Sequence, residues 1–205
     1  MSILNGYATL VQLKNRLKIT ADDDDTLLEE AIESASREID KHCGRRFYAD
    51  DVVSARTYYV DEPCLARVDD FHTTTGLIVK TDSGDDGSYA TTLTLTTDFI
   101  LQPLNGIVDG ESGWPYWKIK TFSPGILPKW TQRPGLQVTA KWGWAAVPSP
   151  VYQSCLIMAT ANYKLKDSAF GSVGIGEFGG IVTVKQTPAA MVKLAPYCRN
   201  SMLVA

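Results

Sequence analysis

Apolar residues near the start of the chain recur every three to four positions, the spacing of an amphipathic helix. Leu10, Leu13 and Leu17 share one face of a helix predicted over residues 8–19. Thr9 followed by Gln12 fits a capping box, in which each side chain binds the backbone amide of the other residue.

A second helical pattern follows the acidic run at 22–25, which we expect to lie near solvent. This helix is predicted to begin at Asp25 or Thr26, with a further capping box between Thr26 and Glu29. Gly44 is expected to end it, because glycine readily adopts the left-handed conformation at a helix terminus. The apolar face consists of Leu28, Ala31, Ile32, Ala35 and Ile39.

The pattern changes between residues 52 and 144, where short runs rich in Val, Thr, Tyr and Trp alternate with turn signals. This alternation predicts antiparallel strands. The segment "DSGDDG" (82–87) superficially resembles a calcium loop, but it lacks the ligand spacing and final Glu of an EF-hand, so a hairpin turn is predicted. The runs are "VVSARTYYV", "LARVDDF", "GLIVKT", "YATTLTLTT", "YWKIKTF" and "LQVTAKWGW".

A helical pattern returns after residue 144. Ser149 is predicted as the N-cap and Pro150 as the first helical residue, where its missing N–H is not needed. A short strand is expected at 180–186, and a last short helix at Pro188 with Thr187 as its cap. The buried face of the third helix is predicted to comprise Val151, Cys155, Met158 and Ala159.

The stretch "FGSVGIGEFGG" (170–180) contains the spacing G-x-G-x-x-G at Gly174, Gly176 and Gly179. A dinucleotide-binding turn follows a strand and opens a helix, so that phosphates meet free amides. Here a helix precedes the glycines and a strand follows them, and the acidic residue that would bind a ribose is missing. We therefore expect no nucleotide and no other cofactor.

Two interpretations of this glycine stretch remain open. Glycines give a free chain many conformations, whereas the apolar residues among them suit a segment that becomes ordered on contact with a neighbouring molecule. The alternative is a hairpin folded back on its own core. The apolar residues are Phe170, Ile175, Phe178, Ile181, Val182 and Val184.

The length and charge of the chain bear on the number of domains and on nucleic-acid binding. The 205 residues suit one domain or a small domain with an insertion, and the net charge of −3 gives no general signal for nucleic-acid binding. Residues 164–205 contain five basic and two acidic residues, whereas the rest of the chain is acidic. This asymmetry favours head-to-tail packing between copies, unless it arises by chance.

Cysteine usage indicates free, reduced thiols in a cytosolic or cytosol-assembled protein, because no C-x-x-C occurs. Cys43 and Cys155 fall on apolar helix faces and are expected in the core. The opening "MSILNGYATL" lacks the features of a signal peptide, and no apolar run reaches the roughly 18 residues of a membrane span.

No catalytic or metal site is predicted. A zinc site would require His42, Cys43, Cys64 and His72 to converge, and no paired spacing supports this. Adjacent acids on a strand point to opposite faces, so residues 69–70 are a poor acid–base pair. The aromatic residues of the β segment suit a core, although a ligand- or protein-binding β module using Trp114, Trp117 and Trp130 is an alternative function.

Five segments, in this order, carry a further signal: "LLEEAIESASREIDKHCGRRFY", "VDDFHTTTGLIVKTDSGDDGSYATTLT", "DFILQPLNG", "VTAKWGWAAVPSPV" and "KDSAFGSVGIGEFGGIVTV". Their succession resembles the head-to-tail connector, or adaptor, proteins of tailed bacteriophages of the siphovirus type. The resemblance implies an α+β fold, with a small α-helical bundle of N- and C-terminal helices, an inserted antiparallel β domain and a glycine-rich C-terminal arm or hairpin. The helical connector domain would comprise 1–50 and 145–205, with the arm at 168–186, and the β domain 51–144.

The resemblance also implies a structural virion protein and no enzyme. Such subunits form a ring beneath the portal, usually of twelve copies, that extends the DNA channel and joins the head to the neck or tail. The implied partners are sibling copies, the portal protein and a neck or tail-side protein such as a stopper or tail terminator. DNA would pass through without specific binding, and no metal or membrane is involved. The implied location is the head–tail interface of a virion assembled in the host cytoplasm.

Contacts with sibling copies or the portal are expected from the arm and from the C-terminal segment. The predicted interface residues are Phe170, Gly171, Gly174, Gly176, Phe178, Gly179, Ile181, Val182, Val184, Met191, Leu194 and Tyr197.

Overall fold

The computed structural model describes residues 3–60, 62–128, 132–167 and 188–199, and these divide between two units. One unit contains both chain ends, Met1–Phe47 and Val147–Ala205, and the other is the intervening segment Tyr48–Ala146. The described part of the first unit is helical, and the second is built from antiparallel sheets. The α+β class predicted from the sequence is therefore confirmed.

Helix α1 (Leu10–Leu17) begins at the predicted capping box. The amide of Thr9 donates to the Gln12 side chain at 2.8 Å, and the amide of Gln12 donates to the Thr9 hydroxyl at 3.3 Å. These bonds satisfy two of the amides that a helix start leaves without intrahelical partners.

Helix α2 (Asp25–Cys43) ends at Gly44 as predicted, where φ is +60°. The predicted capping box between Thr26 and Glu29 is wrong. Asp24 occupies the N-cap position without a side-chain capping bond, and Thr26 lies inside the first turn. The helix starts at the earlier of the two predicted residues.

Helix α3 (Ser149–Lys164) packs against α2 and against α4 (Pro188–Leu194). The N-cap of α3 is Pro148, so the helix begins one residue earlier than predicted. Small side chains permit the close approach of these helices, since the Ser154 hydroxyl on α3 lies 3.2 Å from the Ala190 carbonyl oxygen on α4. Residues of the two predicted apolar faces are buried together: Leu28, Ala31, Ile32, Ala35, Ile39, Val151, Cys155, Met158 and Ala159.

The β unit contains two sheets and a small hairpin among its described residues, with every strand pair antiparallel as predicted. The strand order is β1-β9-β3-β4 in the first sheet and β2-β8-β5 in the second, while β6 pairs with β7. The strands are β1 (Ser54–Tyr58), β2 (Leu65–Phe71), β3 (Ile78–Thr81), β4 (Thr91–Leu93), β5 (Phe99–Gln102), β6 (Ile107–Val108), β7 (Glu111–Ser112), β8 (Tyr116–Thr121) and β9 (Leu136–Ala140).

The segment 82–87 lies in the connection between the paired strands β3 and β4, so the predicted hairpin is confirmed. The buried carboxylate of Asp82 shapes this connection, because it accepts hydrogen bonds from the amides of Asp86 at 3.2 Å and Gly87 at 2.6 Å. Strands β5, β6 and β7 did not follow from the sequence runs. Strands β6 and β7 have two residues each, and alternation is hard to recognise over so few residues.

Trp142 lies at the centre of the β core and is fully buried. Its indole N–H donates to the Ser54 carbonyl oxygen at 2.9 Å, and the Arg56 guanidinium lies 4.6 Å from the centre of the ring. Gly143, the next residue, has φ +96°, and a Cβ placed there would lie 1.8 Å from the carbonyl oxygen of Tyr48. Glycine is therefore required at this position for both backbone conformation and space.

Candidate interaction surfaces

The carboxylate of Asp24 joins the start of α2 to the end of α3. It accepts hydrogen bonds from the Lys166 ammonium at 2.6 Å and from the Tyr163 hydroxyl at 2.5 Å. These bonds, the one from Lys166 above all, lower the pKa of Asp24, and the bond to Asp24 raises the pKa of Lys166. The described segment ends at residue 167. The predicted arm at 168–186 therefore follows directly on a turn that is anchored to α2.

A second cation, Lys14, joins α1 to the acidic run. Its ammonium lies 2.6 Å from Asp22 and 2.7 Å from Asp25. The hydrogen bond between Lys14 and Asp22 raises the pKa of the lysine and lowers that of the carboxyl. The expectation that the acidic run lies near solvent is confirmed for Asp22 and Asp23, which are exposed, whereas Asp24 and Asp25 are half-buried.

The opposite end of α2 carries basic side chains. Lys41 lies in the last turn and is exposed, and so is Arg46 just beyond Gly44. The described C-terminal segment reaches this end, since the amide of Arg199 donates to the Cys43 carbonyl oxygen at 2.8 Å. The 19 residues of α2 separate its two ends by about 28 Å. One helix thus presents exposed acids at its start and exposed cations at its end.

Tyr7 holds the N-terminal segment against α2. Its amide donates to the Ser36 hydroxyl at 3.1 Å, and its own hydroxyl donates to the carboxylate of Asp40. The same phenolic oxygen accepts a hydrogen bond from the amide of Phe47 at 2.8 Å. Burial is the main cause of the raised pKa of both Tyr7 and Asp40. This network connects three segments of the helical unit.

Most of the predicted interface residues, at 170–184, lie outside the described residues, as do the predicted strand at 180–186 and the Thr187 cap. Of the remaining three, Met191 is half-buried and Leu194 is fully buried. Tyr197 packs edge-on against Phe47, with the ring centres 6.1 Å apart. The side chains of Leu194 and Tyr197 therefore contribute to the interior of the helical unit.

Val192 was not among the predicted interface residues, although 75% of it is exposed. The helical period could have identified it. Ala190, Leu194 and Tyr197 are spaced by four and three residues and form the buried face, which places Val192 on the opposite side of α4. An aliphatic residue on the outer face of a short helix is available for contact with another molecule.

Three tryptophans of the β unit, Trp114, Trp142 and Trp144, are buried, and Trp117 is half-buried. Trp114 is buried, and its ring centre lies 5.1 Å from that of Trp144 and 5.9 Å from that of Trp117. Trp130 lies outside the described residues. A cleft of about 350 Å³ in this unit has no tryptophan in its lining, which consists of Glu62, Pro63, Cys64, Leu65, Gln102 and Lys120. The packing removes Trp114 from a ligand-binding surface.

Within the described ranges, no group of three or more His, Cys, Asp or Glu residues is arranged to hold a metal ion. The neighbouring carboxylates Asp69 and Asp70 have different partners, because Asp69 binds Arg56 at 2.8 Å and Asp70 accepts from the indole of Trp144 at 3.2 Å. They do not form an acid–base pair. In the same part of the chain, no helix is long and apolar enough to cross a membrane.

The fold is of the α+β class. Both chain ends form a helical unit, and the sequence between them forms an antiparallel β unit. Residues 7–91 match the family model described as phage gp6-like head-tail connector protein. The matched segment begins at Tyr7 and contains α1, α2 and the first strands of the β unit. The predicted resemblance and the predicted role as a head-tail connector are therefore confirmed.

Solved structures share the fold over almost the whole chain. A chain from "Neck of native GTA particle computed with C12 symmetry" has a TM-score of 0.54 and 12% identity, with 97% of this chain and 92% of that chain covered. A chain from the neck of the empty particle, computed with C6 symmetry, has a TM-score of 0.53 and 13% identity at the same coverage. A chain from "Virion of native gene transfer agent (GTA) particle" has a TM-score of 0.54 and 14% identity, again with 97% and 92% covered. No curated protein matches the chain.

Proposed function

We propose that this protein is a ring subunit of a virion neck, which docks beneath the portal, extends the DNA channel and binds a neck or tail-side protein on its other face. The observation that carries the proposal is the match of residues 7–91 to head-tail connectors, combined with a fold shared over 97% of the chain with neck chains. A ring of twelve copies is proposed because one of those necks was computed with C12 symmetry. DNA passes through the ring without sequence-specific contacts.

The proposed ring contact uses two different faces of each subunit, as a closed ring requires. The exposed acids Asp22 and Asp23 lie at one end of α2, and the exposed Lys41 lies near the other. Opposite charges on two separate surfaces allow one copy to bind the next head to tail. The glycine-rich arm at 168–186 supplies the second contact. Its apolar side chains would be buried against the neighbouring subunit.

The arm is tested by deleting residues 171–180. The deletion is expected to leave the helical and β units folded, with an unchanged circular dichroism spectrum, and to abolish rings when the portal is added. A variant in which the same ten residues are replaced by alternating Gly and Ser is the matched control for length. It should also fail, since it lacks Val173, Ile175 and Phe178, the apolar residues at the centre of the arm. Normal rings from both variants, seen by electron microscopy, would contradict the arm's role.

The proposed contact between opposite charges is tested by exchanging the charges of Asp23 and Lys41. Asp23→Lys and Lys41→Glu should each weaken ring formation, and the double variant should recover part of it, because the opposite charges then face each other again. Raised salt should weaken the wild-type ring by screening exposed charges. Additive losses in the double variant would show that the two residues do not meet across the interface.

A further inference from the structure

Cys43 and Cys198 are 155 residues apart in sequence, yet their sulfur atoms lie 3.7 Å apart. Cys43 ends α2, and Cys198 follows the short 3-10 turn Ala195–Tyr197. The backbone holds the two segments together at this point through the hydrogen bond from the Arg199 amide to the Cys43 carbonyl oxygen, at 2.8 Å. We propose that the pair is an oxidation site, at which a small-molecule disulfide such as oxidised glutathione converts the two thiols into an intramolecular disulfide.

The geometry requires a small movement. A disulfide has a sulfur–sulfur distance near 2.05 Å, so the two atoms must approach by about 1.7 Å. Cys198 is the residue that moves, because it lies in extended backbone beyond the turn, with φ −73° and ψ 135°. Cys43 is fixed in the last turn of α2 and is fully buried. A change in the side-chain rotamer of Cys198 brings its sulfur toward Cys43.

The difference in burial sets the order of the reaction. Cys198 is half-buried and can meet a reagent, whereas Cys43 cannot. The Cys198 thiolate attacks one sulfur of oxidised glutathione, forms a mixed disulfide and releases one glutathione. The Cys43 thiolate then attacks the Cys198 sulfur and releases the second glutathione. The two protons lost by the cysteines appear on the two glutathione thiols, so one disulfide is reduced while one is formed.

The second attack requires the Cys43 thiolate. Burial raises the pKa of the Cys43 thiol, and the neighbouring Cys198 raises it further. Thiolate is the attacking species, so closure of the disulfide should accelerate with rising pH. The other two cysteines lack this arrangement. Cys155 faces the Ser36 hydroxyl at 3.5 Å, and Cys64 lies in the β unit.

The disulfide would fasten the described C-terminal segment to α2. Its biological timing rests on the proposed function: a virion protein is made in a reducing cytosol and meets oxidising conditions after release. The thiols would be free during assembly and linked afterwards. The chemistry at Cys43 and Cys198 is independent of that role.

The experiment treats the purified full-length protein with oxidised glutathione at mildly alkaline pH and measures thiols after unfolding. Two of the four thiols should disappear, and trypsin should release the linked peptides 42–45 and 194–199. The melting temperature should rise by about 5 °C or more, because the link closes a long loop. The readout is chemical and needs no ring, so its failure is distinguishable from failure of the proposed function.

Three variants complete the test. C64S, which removes a half-buried thiol in the β unit, should form the same linked peptides as the wild type. C198S should form none and should show no rise in melting temperature. In the C43A variant, alanine is used because a serine hydroxyl would be buried at this position. The reaction of this variant should stop at a glutathione adduct on Cys198. The site is overturned if the wild type keeps four thiols, accumulates only the adduct, or links through Cys64 or between copies.

Discussion

The ammonium of Lys166 lies 2.6 Å from the carboxylate of Asp24, a residue 142 positions earlier in the chain. Asp24 immediately precedes α2, and Lys166 lies in the 3-10 turn that follows α3. The Tyr163 hydroxyl binds the same carboxylate oxygen at 2.5 Å. One acidic side chain thus fixes the point from which the chain enters the proposed arm.

Asp24→Asn should lower stability at neutral pH, and this deficit should vanish in acid. Hydrogen bonding to Lys166 and Tyr163 lowers the pKa of Asp24 from its ordinary value in the folded protein. The carboxylate therefore stabilises the fold above its unfolded pKa, and this stabilisation is lost as the pH falls through the lower folded pKa. Thermal unfolding of the wild type and the variant, measured from neutral pH down to about pH 2, would give their difference in stability at each pH.

Asp23→Asn is the matched control, because Asp23 is adjacent and exposed. It should change the melting temperature less than Asp24→Asn at neutral pH. A deficit of Asp24→Asn that stays constant down to the lowest pH would show that it does not arise from the carboxylate charge.

The same region shows what the sequence could and could not predict. The periodic spacing of Leu28, Ile32 and Ile39 was sufficient to predict the buried face of α2, since a 3.6-residue period is a local property. The capping box at Thr26 was wrong because Asp24, which has distant partners at the end of α3, ends up at the N-cap position. Local pattern contains no information on a contact made across 142 residues.

The candidate surfaces were less predictable than the fold. The burial of Tyr197 against Phe47 joins residues more than 100 positions apart in the sequence, as does the approach of Cys198 to Cys43. Strand β5 was not among the predicted runs, although β3, which has the same length of four residues, was predicted. The turn at 82–87 was predictable because its glycines and aspartates act within a few residues of one another.

Tyr7→Phe should destabilise the helical unit by about 1–3 kcal/mol. The substitution keeps the ring but removes a hydroxyl that donates to Asp40 and accepts from the Phe47 amide at 2.8 Å. Both partners then lose a bond in a largely buried site, where the cost is greater than at the surface. Urea unfolding at neutral pH would measure the change in free energy.

Tyr59→Phe provides the control for removing a tyrosine hydroxyl, because 60% of Tyr59 is exposed and its hydroxyl bond is long, at 3.5 Å. This variant should lie within about 0.5 kcal/mol of the wild type. Equal losses in the two variants would mean that burial of the Tyr7 hydroxyl is not responsible.

Val192→Asp should leave the protein folded and weaken ring formation. Val192 is 75% exposed on α4, so a charge there costs little in the monomer but would be desolvated in a contact with another molecule. Sizing of the variant with and without portal protein would test this. Leu194→Asp, two residues away and fully buried, should instead unfold the helical unit. Normal assembly by a folded Val192→Asp protein would exclude this face of α4 from the interface.

Gly143→Ala should destabilise the β unit by about 3 kcal/mol or more. Two costs combine at this position, since φ is +96° and the added Cβ would meet the carbonyl oxygen of Tyr48 at 1.8 Å. The Gly110→Ala variant measures the conformational cost without the steric cost. Gly110 also has a positive φ, +83°, but nothing lies within 4 Å of the point that an alanine Cβ would occupy, so only the conformational cost of about 1–2 kcal/mol applies. Urea unfolding of both variants should therefore show a clearly larger loss for Gly143→Ala, and equal losses would show that the backbone of Tyr48 moves aside.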